Sequence, residues 1–400
     1  MLGAMIGDIA GSRYEFHNIK TTDFPLMDDS CFFTDDTVMT IAVAEGLMNG
    51  KRNSEKTEAA IVKAMQKYGR LFPDAGYSAR FGEWLQSENP EPYGSYGSGS
   101  ATRVSPAAEY FHTLAEAEQF AEISARVTHS HPEGIKGAQA VAAAIFLAGS
   151  GRDRLYIKRY IELKYHYDLS RSLDTIRPTY TFNKTCQNTV PEAITAFLLS
   201  ESFEDAIRKA VSLGGDSDAL AAITGSIAEA FYGIPEELAN RARSMLDKRL
   251  LAVLERWDGD LSVRRTGSRE HNILKYLPYF EKNPKTEYDV IKPEGAEEEI
   301  RIPHYDDVMQ NFIRDFYLSD CVDKAFSLTL SKHGIRTYED MVIELPSADR
   351  ETLCAMLTLV FRGELVSRGN IARAAESGII GDILGRLAGL ARSAQPSEEK

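Results

Sequence analysis

From residue 1 to about 257, apolar and small residues recur three and four positions apart, the spacing of helix faces turned toward a core, with Gly-rich or Pro-containing breaks between the runs. In TVMTIAVAEGLMNG the residues Met39, Ala42, Val43, Gly46 and Leu47 fall on one face, and Asn49-Gly50 predicts the stop. In SDALAAITGSIAEAFYGIPEEL the face is Leu220, Ile223, Ile227 and Phe231, closed by Gly233 and Pro235. The stretches AEAEQFAEISARVTH and PEGIKGAQAVAAAIFLAG predict two further helices, the second Ala-rich enough to pack in the centre. An all-α body is expected over residues 1–257, with no internal repeat of fixed period.

Between Trp257 and about Asp307 this pattern dissolves. DGDLSVRRTGSREH and KNPKTEYDVIKPEGAEEEIRIPHYDD are polar, charged and broken by prolines, so residues 258–307 are predicted to be a polar, irregular linker. Beyond it, DVMQNFIRDFYLSDCVDKAF and RETLCAMLTLVFRGELVSRGNIARAAES are amphipathic. They predict a smaller helical domain at 308–392, followed by a frayed tail at 393–400.

Composition narrows the partners. At 400 residues, 43% hydrophobic and 26% charged, the chain can bury one large core or two moderate ones. The formal charge is −13, and no Lys/Arg cluster is dense enough to follow a phosphate backbone, which argues against bulk nucleic-acid binding. Cys31, Cys186, Cys321 and Cys354 lie far apart with no C-x-x-C pair, the pattern of reduced thiols in a cytoplasmic protein. The apolar start has no basic segment and meets Asp8 too soon for a signal peptide, and the longest apolar stretch (140–149) is too short to span a bilayer, so no membrane is expected.

Two acidic clusters, TDDT at 34–37 and GGDSDA at 214–219, each precede a helical pattern. Either one alone reads equally as a helix N-cap. Together they offer one hydroxyl and four carboxylates from Thr34, Asp35, Asp36, Asp216 and Asp218, and the paired glycines let the backbone turn so that Asp216 and Asp218 converge. Such hard oxygen donors suit magnesium, or manganese in its place, and their charge suits two ions better than one; zinc is the poorer candidate. In GDIAGSRYEFHN, Asp8 and Glu15 flank a small-residue stretch, and Glu15 is either a functional acid or the partner of Arg13 or Lys20. YGSYGSGSATRVSP (93–106) is a loop able to cradle a diphosphate, or a plain connector.

Taken in order, GDIAGSRYE, FTDDTVMT, GSGSATRVSP, THSHPEG, TVPEAITAFL and GGDSDALAAITGSIAEAFYG resemble the successive motifs of the ADP-ribosylglycohydrolase family over about residues 1–257. The resemblance implies a compact orthogonal helical bundle with a binuclear magnesium centre, cleaving the glycosidic bond between ADP-ribose and an acceptor. The substrate would be an ADP-ribosylated protein, nucleobase or small molecule. On that resemblance Thr34, Asp35, Asp36, Asp216 and Asp218 match the metal ligands, and Glu15 matches an acid implicated in catalysis beside Asp35 and Asp36. Gly97, Ser98, Gly99 and Ser100 match the loop around the diphosphate and proximal ribose, and His129 a substrate-contacting histidine or a plain turn residue.

Two departures accompany the resemblance. Ala219 stands where the family usually has Thr or Ser, removing a hydroxyl ligand from one metal, and Ser98 and Thr102 stand where many members have Asn and Met. Three readings follow: an ADP-ribosyl hydrolase of full or reduced activity, a non-catalytic ADP-ribose-binding protein on the same fold, and, from the carboxylates alone, a two-metal phosphoester hydrolase. In the hydrolase reading Glu15 is the general acid or base, or a gate that swings onto a metal. The C-terminal part resembles no family of known function.

Overall fold

The computed structural model describes residues 1–111, 113–266, 273–291, 300–323, 326–366 and 369–393, in two compact units, one running through Leu261 and one from Ser262 onward. In the first unit, α1 (Leu2–Ser12) is buried along its whole length. It has glycine at every fourth position, Gly3, Gly7 and Gly11, and these lie against α7 (Ser217–Tyr232). A Cβ on Gly7 would stand 1.9 Å from the Ala221 carbonyl oxygen, and one on Gly11 would stand 2.5 Å from the Asp218 Cα. The two backbones therefore touch, which carries Asp8 of α1 to the N-terminus of α7.

The helix predicted from TVMTIAVAEGLMNG is α2 (Asp35–Gly50), ended by Lys51 in the left-handed region. Its burial is wider than the one face expected, since every residue from 37 to 47 is inside. The reason is its position, with α3 (Ser54–Leu71) packed along it and other helices on its remaining sides. α4 (Leu114–Arg126) opens with a capping box from Thr113 and Glu116, and the Ala-rich stretch is α5 (Pro132–Gly149). α5 packs against α4, α6 (Cys186–Leu198) and α7, the central place its composition predicts. α7 ends at Tyr232, with Gly233 at φ 76°. α8 (Lys248–Thr266) follows.

The expected linker at 258–307 differs from the structure. Residues 258–266 continue α8, Leu277–Phe280 is a helical turn, and β1 (Glu287–Ile291) pairs antiparallel with β2 (Ile300–His304) in the register Asp289↔Ile302. Charge and prolines dominate the composition there, yet Ile273, Tyr276 and Phe280 are buried in the core of the second unit. The parts of that expectation at 267–272 and 292–299, and the tail at 394–400, lie outside the described residues.

The second unit is mainly helical, and β1 and β2 are its sheet among the described residues. Its core joins α9 (Asp307–Leu318), α10 (Arg350–Val366) and α11 (Ile379–Ser393). Phe280 packs on Phe312 with ring centroids 4.5 Å apart, and Phe316 stacks on Phe361 at 3.9 Å, geometry that adds to the gain from burying their area. Among the described residues no helix is long and apolar enough to cross a membrane.

Candidate functional site

Thr34 caps α2 from an extended backbone, its hydroxyl accepting from the Asp36 N–H. The turn is braced from α1. Asp8 Oδ1 accepts from the Thr34 hydroxyl (2.6 Å), while Oδ2 accepts from the Thr34 N–H (2.9 Å), the Thr37 N–H (3.2 Å) and the Thr37 hydroxyl (2.5 Å). Burial pushes the Asp8 carboxyl up and these hydrogen bonds oppose the shift. Sequence reasoning passed over Asp8 in favour of Glu15. The available signal was an acid inside an otherwise apolar and small-residue helix, which requires a partner when buried.

The N-terminus of α7 supplies the other half. Gly214 (φ 69°) and Gly215 (φ 74°) turn the chain through a region that side chains disfavour. Asn18 clamps the turn, donating to the Gly215 carbonyl (2.9 Å) and accepting from the Gly215 N–H (2.7 Å). Asp216 then occupies the N-cap position of α7 without a side-chain cap hydrogen bond, and Asp218 lies in the first turn, both buried.

Two carboxylate triads result, each with oxygens mutually within 4.8 Å: an inner one of Asp8, Asp36 and Asp218, and an outer one of Glu15, Asp216 and Asp218. Asp218 belongs to both, and its buried Oδ1 has no hydrogen-bond partner. Asp35 belongs to neither but stands close enough to be affected by them: burial and then the Asp8 charge push its carboxyl up to about 7. Burial raises Asp216 to about 6 against the pull of Lys184. Asp36 and Asp218 are held well above the usual carboxylate range by burial, then by Asp35 and Asp216 respectively.

Neither sequence neighbour expected for Glu15 is its partner. Arg13 pairs with Asp28, and Lys20 donates to the carbonyls of Tyr180 (2.8 Å) and Leu213 (2.5 Å). Glu15 instead meets Lys184, whose Nζ is 2.9 Å from Glu15 Oε1 and 3.7 Å from Asp216 Oδ1. Buried like charges together with an orphaned carboxylate oxygen form a donor set suited to hard divalent cations. Both triads are entirely carboxylate, which leaves zinc the poorer fit. Ala219, beside Asp218, is buried and presents only a methyl group.

The Gly/Ser loop runs along this cluster. It is anchored by the Ser98 N–H donating to the Lys184 carbonyl (2.8 Å), a Gly97–Thr185 bridge, and the Cys186 N–H donating to the Tyr96 carbonyl (2.9 Å). Ser98 Oγ donates to Asp216 Oδ2 at 3.4 Å, and Thr102 Oγ1 donates to Asp36 Oδ1 at 2.5 Å. Ser98 and Thr102, the two loop positions that depart from the expected pattern, thus place one hydroxyl on each acidic motif. Ser100 points elsewhere, donating to the Gly134 carbonyl (2.8 Å) and tying the loop to α5.

His129 completes the site through a relay that sequence reasoning did not find. Buried Arg103 donates from Nη2 to the Ser124 carbonyl (3.1 Å) and to Thr128 Oγ1 (2.8 Å). The Thr128 hydroxyl accepts from the guanidinium and lies 2.7 Å from His129 Nδ1, so it ties the imidazole to Arg103. Burial and the Arg103 charge hold the His129 pKa well below its ordinary value, so the ring is neutral. A Cβ on Gly97 or Gly99 would stand 3.6 or 3.9 Å from Nε2, so this nitrogen faces the loop backbone where side chains are absent.

A family model described as ADP-ribosylglycohydrolase matches residues 1–267, and one for a family of unknown function (DUF6508) matches residues 265–393. The ADP-ribosylhydrolase ARH3 of Mus musculus is 24% identical, the match covering 59% of this chain and 83% of that protein. The ADP-ribosylarginine hydrolase Tri1 of Pseudomonas putida (strain GB-1) is 28% identical, covering 58% of this chain and 70% of that protein. A solved ADP-ribosylglycohydrolase-related protein complex aligns with a TM-score of 0.46 at 22% identity, covering 63% of this chain and 94% of that chain.

Proposed function

Since the chain belongs to the ADP-ribosylglycohydrolase family, we propose that its first unit releases ADP-ribose from an ADP-ribosylated acceptor by hydrolysing the glycosidic bond, with divalent cations, magnesium foremost, held between the two acidic motifs. One observation carries the metal part: Asp218, common to both triads, has a buried oxygen without a partner among carboxylates that burial makes costly to ionise. Thr34, Asp35, Asp36, Asp216 and Asp218 would hold the ions, with Asp8 bracing Thr34 and Glu15 closing the outer triad. Bound there, they would supply anchoring for ribose hydroxyls and a water of lowered pKa.

The chain's own residues account for the rest. The glycine-rich backbone at Gly97 and Gly99 would hold the diphosphate, with the neutral His129 beside it, its Nε2 facing the loop. Glu15, partly exposed at the edge of the cluster, is placed to pass a proton to the departing acceptor or take one from the attacking water. The names of the relatives, an ADP-ribosylhydrolase and an ADP-ribosylarginine hydrolase, support this substrate class. The cysteines, all free thiols and all buried, support a reducing, cytoplasmic setting.

The test is release of ADP-ribose from peptides ADP-ribosylated on arginine or serine, followed by chromatography. Magnesium-dependent release that is lost in Asp36→Ala and Asp216→Ala is the expected outcome; full activity after chelation would remove the metal from the mechanism. Ala219 favours a second reading, an ADP-ribose-binding protein without turnover. Calorimetric binding of ADP-ribose with no release from any substrate would support that reading, whereas faster release and tighter ion binding in Ala219→Thr would support the enzyme.

A further inference from the structure

We infer that the Lys184 ammonium takes over the charge-balancing place of the outer cation, so that this chain holds one divalent ion tightly on the Asp36–Asp218 side and a second only weakly. The inference rests on the metal centre of the proposed function and concerns how many ions that centre holds. Lys184 reaches two of the three outer carboxylates, Glu15 at 2.9 Å and Asp216 at 3.7 Å. The inner triad is served differently, by hydroxyl and amide donors from Thr34, Thr37 and Thr102.

The lysine is presented by an ordered element. Its carbonyl accepts from the Ser98 N–H at 2.8 Å, the next residue bridges to Gly97, and its Nζ lies 5.0 Å over the Phe182 ring. Phe182 in turn stacks on Phe16, from the segment that carries Glu15, with centroids 6.1 Å apart. Ring stacking and ion pair thus hold the Glu15 segment and the Lys184 segment together over the outer triad.

A divalent ion entering the outer triad meets the positive charge of Lys184 at close range. The side chain is about half exposed, so solvent weakens the repulsion and the ammonium can be displaced. That makes the outer seat weak without abolishing it. At the inner seat the donors are neutral and add no competing charge.

The experiment is a manganese titration of the full chain by calorimetry and electron paramagnetic resonance, comparing the native protein with Lys184→Met and Lys184→Arg. The native chain and Lys184→Arg should show one tight ion and a second at least about tenfold weaker. Lys184→Met should bind two ions with similar affinity, and the resonance should show a coupled pair. Two equal sites in the native chain would overturn the inference. So would unchanged ion binding in Lys184→Met accompanied by weaker ADP-ribose binding, which would make Lys184 a contact for the diphosphate. Failure of every form to bind manganese would remove the metal centre itself, an outcome distinct from two equal sites.

Discussion

The inner and outer triads share Asp218 and present the same number of carboxylates, yet the fold offsets their charge by different means. At the inner triad Asp8 accepts four hydrogen bonds from the Thr34–Thr37 turn and Asp36 accepts one from Thr102. At the outer triad an ammonium group stands against Glu15 and Asp216. Hydrogen bonds from neutral hydroxyls and amides favour the charged carboxylate without adding a positive charge, whereas an ammonium balances the carboxylate charge and repels an incoming cation. If Lys184 displaces the outer ion as inferred above, a count of acids alone overstates how many cations such a cluster holds.

The shared residue is where both triads break together. Asp218→Ala should lower ADP-ribose release by about a thousandfold or more and abolish calorimetric magnesium binding, because it removes a ligand from both seats. A change confined to one seat would show that the triads are independent. Gly7→Val attacks the packing beneath them. It drives a branched side chain into the Ala221 backbone and pushes Asp8 away from α7, which should cost about 3 kcal/mol in urea unfolding. Unchanged stability would contradict the close helix contact.

Smaller changes separate the two seats. Thr102→Val removes the hydroxyl that orients Asp36 and should weaken the tight ion about tenfold, whereas Ser98→Ala, acting on Asp216, should affect the weak ion alone. Equal effects on both ions would erase the distinction. The smallest expected effect is on stability as pH changes. Asp35 and Asp216, at about 7 and about 6, bind protons more tightly folded than in an unfolded chain near about 4. Without metal, their contribution is thus progressively lost as pH rises through that interval. The melting temperature of chelator-treated protein should fall by a few degrees across this range, and added magnesium should restore more of it at about pH 8 than at about pH 5. A magnesium increment independent of pH would show that protons and ions do not compete there.

The two turns that carry the acidic motifs were legible because they are local. Two glycines followed by carboxylates at alternate positions, and a Thr before paired aspartates, announce turns that aim side chains, and the turns are where the sequence places them. What depends on packing was not legible. Asp8 becomes a brace only because the α1 glycines admit the α7 backbone, and Arg103 reaches His129 through Thr128 and through its charge. Lys184 lies 169 residues from its partner Glu15, in a polar stretch without periodicity, so the nearer Arg13 and Lys20 were the natural expectation. In the second unit, charge and proline content obscured an antiparallel strand pair and a helical turn beside which Tyr276 and Phe280 enter a core.

The most direct measurement is ADP-ribose release from an arginine- or serine-linked ADP-ribosyl peptide, run with magnesium, with chelator, and with Asp218→Ala. Release in the first case and near-complete loss in the other two is the predicted result. Release that is undiminished by chelation and by Asp218→Ala would contradict a hydrolase built on these two acidic motifs.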